Sequence, residues 1–136
     1  MSPAVQTAFA TALRHTYVHA GAAQAQLKSD EKVATLSRVL PPYCDSIEDL
    51  ISMCRSEKST TGAATVLPHI WAVASEHRKL AAQLRRMGKK HPNLKSIVAR
   101  VGEVATALDD LVEDFRDAVE FAPDAEAADK FLATHS

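Results

Sequence analysis

The sequence predicts an all-α fold: an up-down antiparallel four-helix bundle, its second helix broken at Pro41-Pro42, with a short fifth helix at the C-terminus. Three observations predict it. Apolar residues recur at helical spacing along most of the chain, and no segment shows the alternation of a half-buried strand. Aromatic residues are only 5% of the total while alanine, the best helix former, is abundant. Gly, Pro and Ser/Thr clusters cut the chain into helix-length segments joined by short connections, which favours antiparallel neighbours. At 136 residues the chain has the size of one domain, and a single helical-bundle domain over 1–136 is expected.

The first helix opens at Ser2-Pro3, an N-cap followed by proline at the first helical position, and is expected to run to about Leu27. It holds eight alanines between Ala4 and Ala25, and Arg14 is its one formal charge. Its stripe includes Phe9, Ala12, Thr16 and Ala20. A helix without a charged face is often covered on more than one side, so these four are expected to serve self-association, as a dimer.

Ser29-Asp30-Glu31 marks a stop and a new start, and a second helix is expected over Glu31–Leu40. Pro41-Pro42 should interrupt it, because proline lacks an amide hydrogen and disfavours helical geometry in the residue before it. Helix then resumes to about Glu57, with Ile47, Leu50, Ile51 and Cys54 on one stripe. Ser59-Thr60-Thr61-Gly62 reads as a loop.

The third helix is expected from Ala63 to Met87, with Gly88 as its C-cap. Ile70, His77 and Leu84 form one row; Val73, Leu80 and Met87 form the next. The fourth starts at His91-Pro92-Asn93 and runs to about Phe121. Here Leu94, Val101, Leu108, Phe115 and Ala122 recur every seventh residue beside a row of Ile97, Val104, Leu111 and Ala118, a stripe wide enough for a multi-helix core. Pro123-Asp124-Ala125-Glu126 begins the last helix, with acids at the positive end of its dipole.

The net charge of -1 conceals a segregation. Arg78 to Arg100 carries bases without acids, and Glu103 to Asp129 carries acids against Arg116 alone. Arg85, Arg86, Lys89, Lys90 and Lys95 gather at the turn between the third and fourth helices, a candidate site for an anion or an acidic protein partner. Nucleic acid is not expected there, since no aromatic residue in the segment offers a base-stacking platform.

No apolar run approaches the roughly 20 residues that span a bilayer, so no membrane association is expected. No secretory leader is apparent, and Cys44 and Cys54 match no zinc spacing; a cytoplasmic protein with reduced thiols is the expectation. P-loop, dinucleotide and nucleophile-elbow motifs are missing, so no catalytic residue and no cofactor is assigned. His15 and His19 lie one turn apart, as a ligand pair could, but the Glu-x-x-His pairs of di-iron bundles do not occur, and no metal is expected.

His19 and His77 both fall on apolar stripes. Each lies roughly 21–24 Å from its helix start at the α-helical rise, and the antiparallel second helix reaches that height near Tyr43. His19, Tyr43 and His77 are therefore expected to form a polar layer in mid-bundle, either a satisfied core network or the wall of a small-ligand pocket.

Arg86-Met87-Gly88-Lys89-Lys90-His91 resembles the Arg-x(4–6)-His motif of the HEPN helical ribonucleases, and Arg85 fits the spacing too. The resemblance covers six or seven residues and implies His91 acting on a 2'-hydroxyl, with the arginine stabilising phosphate charge. The chain departs from that pattern in flanking His91 with Gly88 and Pro92, which put it in a turn rather than on a helical face. The function expected is accordingly a non-enzymatic bundle that acts by protein association. A small-ligand-binding or enzymatic bundle at the His19/His77 layer, or an anion or nucleic-acid binder, HEPN-like ribonuclease included, at the basic turn Arg85–Lys95, stands as the alternative.

Overall fold

The computed structural model describes residues 2–24, 29–56, 62–121 and 124–135. They form five α-helices: α1 (Pro3–Gln24), α2 (Ser29–Ser56), α3 (Ala63–Gly88), α4 (Lys95–Phe121) and α5 (Ala125–His135). A 3-10 turn at Pro92–Leu94 leads into α4, and no strand occurs among the described residues. The expected end of the first helix near Leu27, loop residues 59–61, Ala122 and Pro123 lie outside the described residues.

Side chains and turns close the helix ends. Ser2 Oγ accepts the Val5 amide at 3.3 Å and the Ser2 carbonyl accepts Gln6 at 3.0 Å, which caps α1 ahead of Pro3. Asp124 Oδ1 accepts the Ala127 amide at 2.7 Å and caps α5 in the same way.

The expected break in the second helix is corrected by the structure. α2 runs without interruption through Pro41 and Pro42. The two prolines leave the carbonyls of Ser37 and Arg38 without their i+4 donors, but both residues are exposed, and water can take the donors' place. The inward face supplies the compensation. Leu36, Leu40, Cys44 and Ile47 are fully buried and Tyr43 nearly so, a continuous apolar row that only a helical backbone can present to the core.

Gly88 is likewise corrected. It does not adopt the left-handed conformation of a glycine cap. It is the last residue of α3, and the Met87 carbonyl accepts the amides of Lys90 and His91, both at 3.0 Å. What glycine provides is room: a Cβ here would stand 3.1 Å from Val98 Cγ2 of α4.

α1 packs against α2 and α3, α4 packs against α2, α3 and α5, and α5 also touches α3. One apolar core draws on all five helices, from Val5 of α1 to Ala128 of α5. The rows read from the sequence supply it: Val101, Leu108 and Phe115, with Val104, Leu111 and Ala118, are all buried. Each buried Leu or Phe contributes about 1.5–3 kcal/mol relative to exposure. Three arginines lace the outside with ion pairs between helices: Arg78–Asp109 at 2.6 Å, Arg55–Asp114 at 2.9 Å, and Arg100 with Asp45 and Glu48. Such exposed pairs are worth roughly 0–1 kcal/mol each, so packing decides stability.

Pro42 is exposed, so Pro42→Ala should restore a donor toward the Arg38 carbonyl at little loss of packing. It is expected to stabilise the protein by about 1–3 kcal/mol, read as a higher urea midpoint. An unchanged or lower midpoint would show that α2 carries no helical penalty at this position.

Candidate functional site

Among the described residues two polar ones are fully buried, Thr16 and His77, both at 0% exposure. A buried polar group is tolerated where its hydrogen bonds are made, and here they are made in series. His77 Nε2 lies 2.8 Å from the Val101 carbonyl of α4. That oxygen can only accept, so Nε2 carries the hydrogen and donates. Nδ1 of the neutral ring is then an acceptor, and Tyr43 Oη of α2 donates to it at 2.6 Å. Tyr43 Oη is also 3.0 Å from Thr16 Oγ1 of α1, and Thr16 donates to the Ala12 carbonyl at 2.7 Å. One relay therefore touches all four long helices.

His19 reaches the same place differently. Its ring meets Tyr43 edge-on, with centroids 5.0 Å apart, and it is half-buried. The Tyr43 and His77 rings stack with centroids at 5.6 Å. Thus His19, Tyr43 and His77 come together, but the hydroxyl next to Tyr43 belongs to Thr16, one turn earlier on α1. The sequence reading gave Thr16 to self-association and overlooked the Val101 carbonyl. The signal for Thr16 was its place in a row of alanines, four residues from both Ala12 and Ala20. Phe9, Ala12 and Ala20 also face inward and are buried. The exposed large apolar residues of α1 are Tyr17 and Val18.

Burial sets the proton affinities. It pushes His77 below its ordinary value of 6.5, against a weaker upward pull from the Val101 hydrogen bond and the Asp109 carboxylate. It lowers His19, helped by the nearby His15. It raises the Tyr43 hydroxyl, with the Thr16 hydrogen bond opposing, and holds the Cys44 thiol up at about 11. At neutral pH the relay is uncharged.

Outside the relay, α1 and α2 leave a groove. One cavity of about 270 Å³ is lined by Thr11, Ala12, His15, Tyr43, Asp49 and Met53, among others. A second, of about 210 Å³, is lined by His15, His19, Val39, Pro42, Tyr43 and Ser46. His15, Tyr43 and Ser46 belong to both, so the Tyr43 ring forms a wall of the groove while its hydroxyl lies in the relay.

Arg85 and Arg86 end α3, Lys89 and Lys90 form the turn, and Lys95 opens α4; all five are exposed, and none has an ion-pair partner among the described residues. His91 is half-buried in that turn and borders a cavity of about 390 Å³ with Asp30, Val33, Ala34, Ser37 and Asn93. The arginines of the HEPN-like pattern do not line it. Among the described residues no group of three or more His, Cys, Asp and Glu could hold a metal ion, and no helix is long and apolar enough to cross a membrane.

Tyr43→Phe removes the donor to His77 and is expected to cost about 1–3 kcal/mol of unfolding free energy, since it leaves a buried acceptor unmet. The depressed affinity of His77 also gives stability a definite pH dependence. The unfolded chain binds a proton below about 6.5, the folded chain only at lower pH, so stability is full above 6.5 and falls as pH drops toward the folded value. Urea midpoints measured from pH 7.5 to about pH 5 should show that fall, and His77→Phe should flatten it; an equal slope in the variant would exclude His77 as its source.

No family model matches the chain, and no curated protein and no solved structure matches it.

Proposed function

We propose that this chain is a non-enzymatic protein that acts by association, first of all with a second copy of itself, through the outward face of α1. We take it as a single domain over residues 1–136, with its four long helices alternating in direction as a bundle. The ion pairs Asp45–Arg100 and Arg55–Asp114 advance together along α2 and α4, which suits parallel neighbours. Phe9 meets His69, and Leu13 and Val73 line the same cavity beside them, which suits parallel α1 and α3. Along the α1/α2 groove, Ala8 goes with Leu50 and His19 with Val39, which suits antiparallel neighbours. The helix order around the core is then α1, α2, α4, α3. Consecutive α2 and α3 face each other across it, where Tyr43 meets His77.

The observation that carries the proposal is the outer surface of α1. Among the exposed residues described on this helix, Arg14 alone has a formal charge, and Tyr17 and Val18 are 54% and 60% exposed. A solvent-facing helix ordinarily carries charge there, as α4 does with Glu103, Asp110, Glu113 and Glu120. A neutral face with two adjacent large apolar side chains suits burial against another chain. The unpaired cations of the α3–α4 turn suit an acidic protein as a further partner. The buried thiols Cys44 and Cys54 suit a reducing compartment such as the cytoplasm.

A second function is favoured by the two adjoining cavities at Tyr43, which suit a small ligand seated between α1 and α2. A fluorescent apolar probe whose signal is lost in Thr11→Trp would favour that function; absence of probe binding to the native protein would end it.

For association, light scattering is expected to give a dimer that dissociates on dilution. Val18→Glu should weaken it roughly tenfold or more while moving thermal stability by no more than about 0.5 kcal/mol. A wild-type monomer at every concentration, or a dimer indifferent to Val18→Glu, would overturn the proposal.

A further inference from the structure

The relay contains more contacts than its neutral form can supply with hydrogens. Four contacts run in series: Ala12 O to Thr16 Oγ1, Thr16 Oγ1 to Tyr43 Oη, Tyr43 Oη to His77 Nδ1, and His77 Nε2 to Val101 O. Neutral His77 brings one hydrogen, and each hydroxyl brings one. The two ends are carbonyls and must accept. Thr16 spends its hydrogen on Ala12, Tyr43 spends its own on His77, and the 3.0 Å contact between the hydroxyl oxygens has none to itself. One hydrogen more, on His77 Nδ1, completes the series. His77 then donates to both Val101 and Tyr43, Tyr43 donates to Thr16, and Thr16 donates to Ala12.

We infer that His77 Nδ1 is a proton-binding site of the folded protein, and that the proton it takes reverses the hydroxyl order from α3 to α1 without breaking the relay. The proton comes from solvent and forms one N–H bond. The Tyr43 O–H bond stays intact and only rotates, from Nδ1 to Thr16 Oγ1.

The groups that face His77 allow this. From α1 come the neutral Thr16 and, behind the Tyr43 ring, His19. From α2 comes Tyr43, whose hydroxyl burial holds protonated. From α4 come the Val101 carbonyl and the Asp109 carboxylate, which favours the cation and is itself paired with Arg78 of α3. Burial opposes the cation, so the site fills below the ordinary histidine value rather than at neutrality. No step depends on association, and the test can be run equally on a monomeric variant.

The test is imidazole nitrogen NMR on the full chain. At neutral pH His77 is expected as the Nε2–H tautomer. On acidification it should take a second proton at a pH below 6.5 while the spectrum of the folded protein persists. Thr16→Val keeps the shape of the side chain but takes away the acceptor that the rotated Tyr43 hydroxyl needs. Both forms lose the bond to Ala12 and the charged form alone also loses the one from Tyr43, so the His77 midpoint should fall by about one pH unit. Thr16→Ser should bring it back. An Nδ1–H tautomer at neutral pH, a His77 that stays neutral until acid unfolds the chain, or a midpoint that Thr16→Val does not lower would each overturn the inference. The first two are read on the unmodified protein, so they decide the matter even where a variant fails to fold.

Discussion

A fully buried imidazole must have partners on both nitrogens, and this requirement organises the molecule. The two nitrogens of His77 point in opposite directions, so its partners come from opposite sides: Val101 of α4 and Tyr43 of α2. The Tyr43 hydroxyl in turn lies 3.0 Å from that of Thr16 of α1. Apolar packing holds the helices together with much greater total energy, but it tolerates sliding, since Leu against Leu is nearly indifferent to a shift of one turn. A directional relay is not indifferent. A shift of 5.4 Å, one helical turn, would leave at least two buried polar atoms unmet. Packing supplies most of the stability of the helical fold, and the directional contacts of the relay favour one register over its neighbours.

Much of this was legible in the sequence, and the exceptions have physical causes. The rows Val101-Leu108-Phe115 and Ile70-His77-Leu84 could be read directly, because helical period and burial agree over several turns. The meeting of Tyr43 with His77 was legible because helix rise converts residue number into height. Thr16 was not, because α1 has almost no charge with which to tell its inner face from its outer one. A hydroxyl in a row of alanines looks alike on either side. Pro41-Pro42 was misread because propensity is local, whereas the burial of Leu36, Leu40 and Ile47 on one face of α2 is a tertiary gain. Gly88 was misread for the same reason: its neighbour Val98 lies on another helix. Function was the least legible, since an outer surface carries no short motif of the kind that marks a catalytic site.

Charge plays a different part from packing. Arg78, Arg55 and Arg100 lie across helix boundaries from their acids, so part of the basic and acidic segments is spent inside the chain. The remainder, Arg85 to Lys95 at one turn and Asp110, Glu113, Asp117 and Glu120 along the far half of α4, makes no ion pair among the described residues and lies toward opposite ends of that helix. A molecule with such a permanent dipole orients in an external field, whereas the exposed face of α1 contributes almost no field of its own.

The unbroken course of α2 through two prolines has a consequence for how the chain acquires its shape. Helix growth advances by adding one amide hydrogen bond per residue, and at Pro41 and Pro42 two successive additions bring none. Cut out as a peptide, residues 29–56 would hold two short stretches, each near the length at which an isolated helix frays. The rod exists only because its neighbours are already there to receive Leu40, Tyr43 and Ile47. α2 thus draws its continuity from the helices around it rather than from its own local propensity.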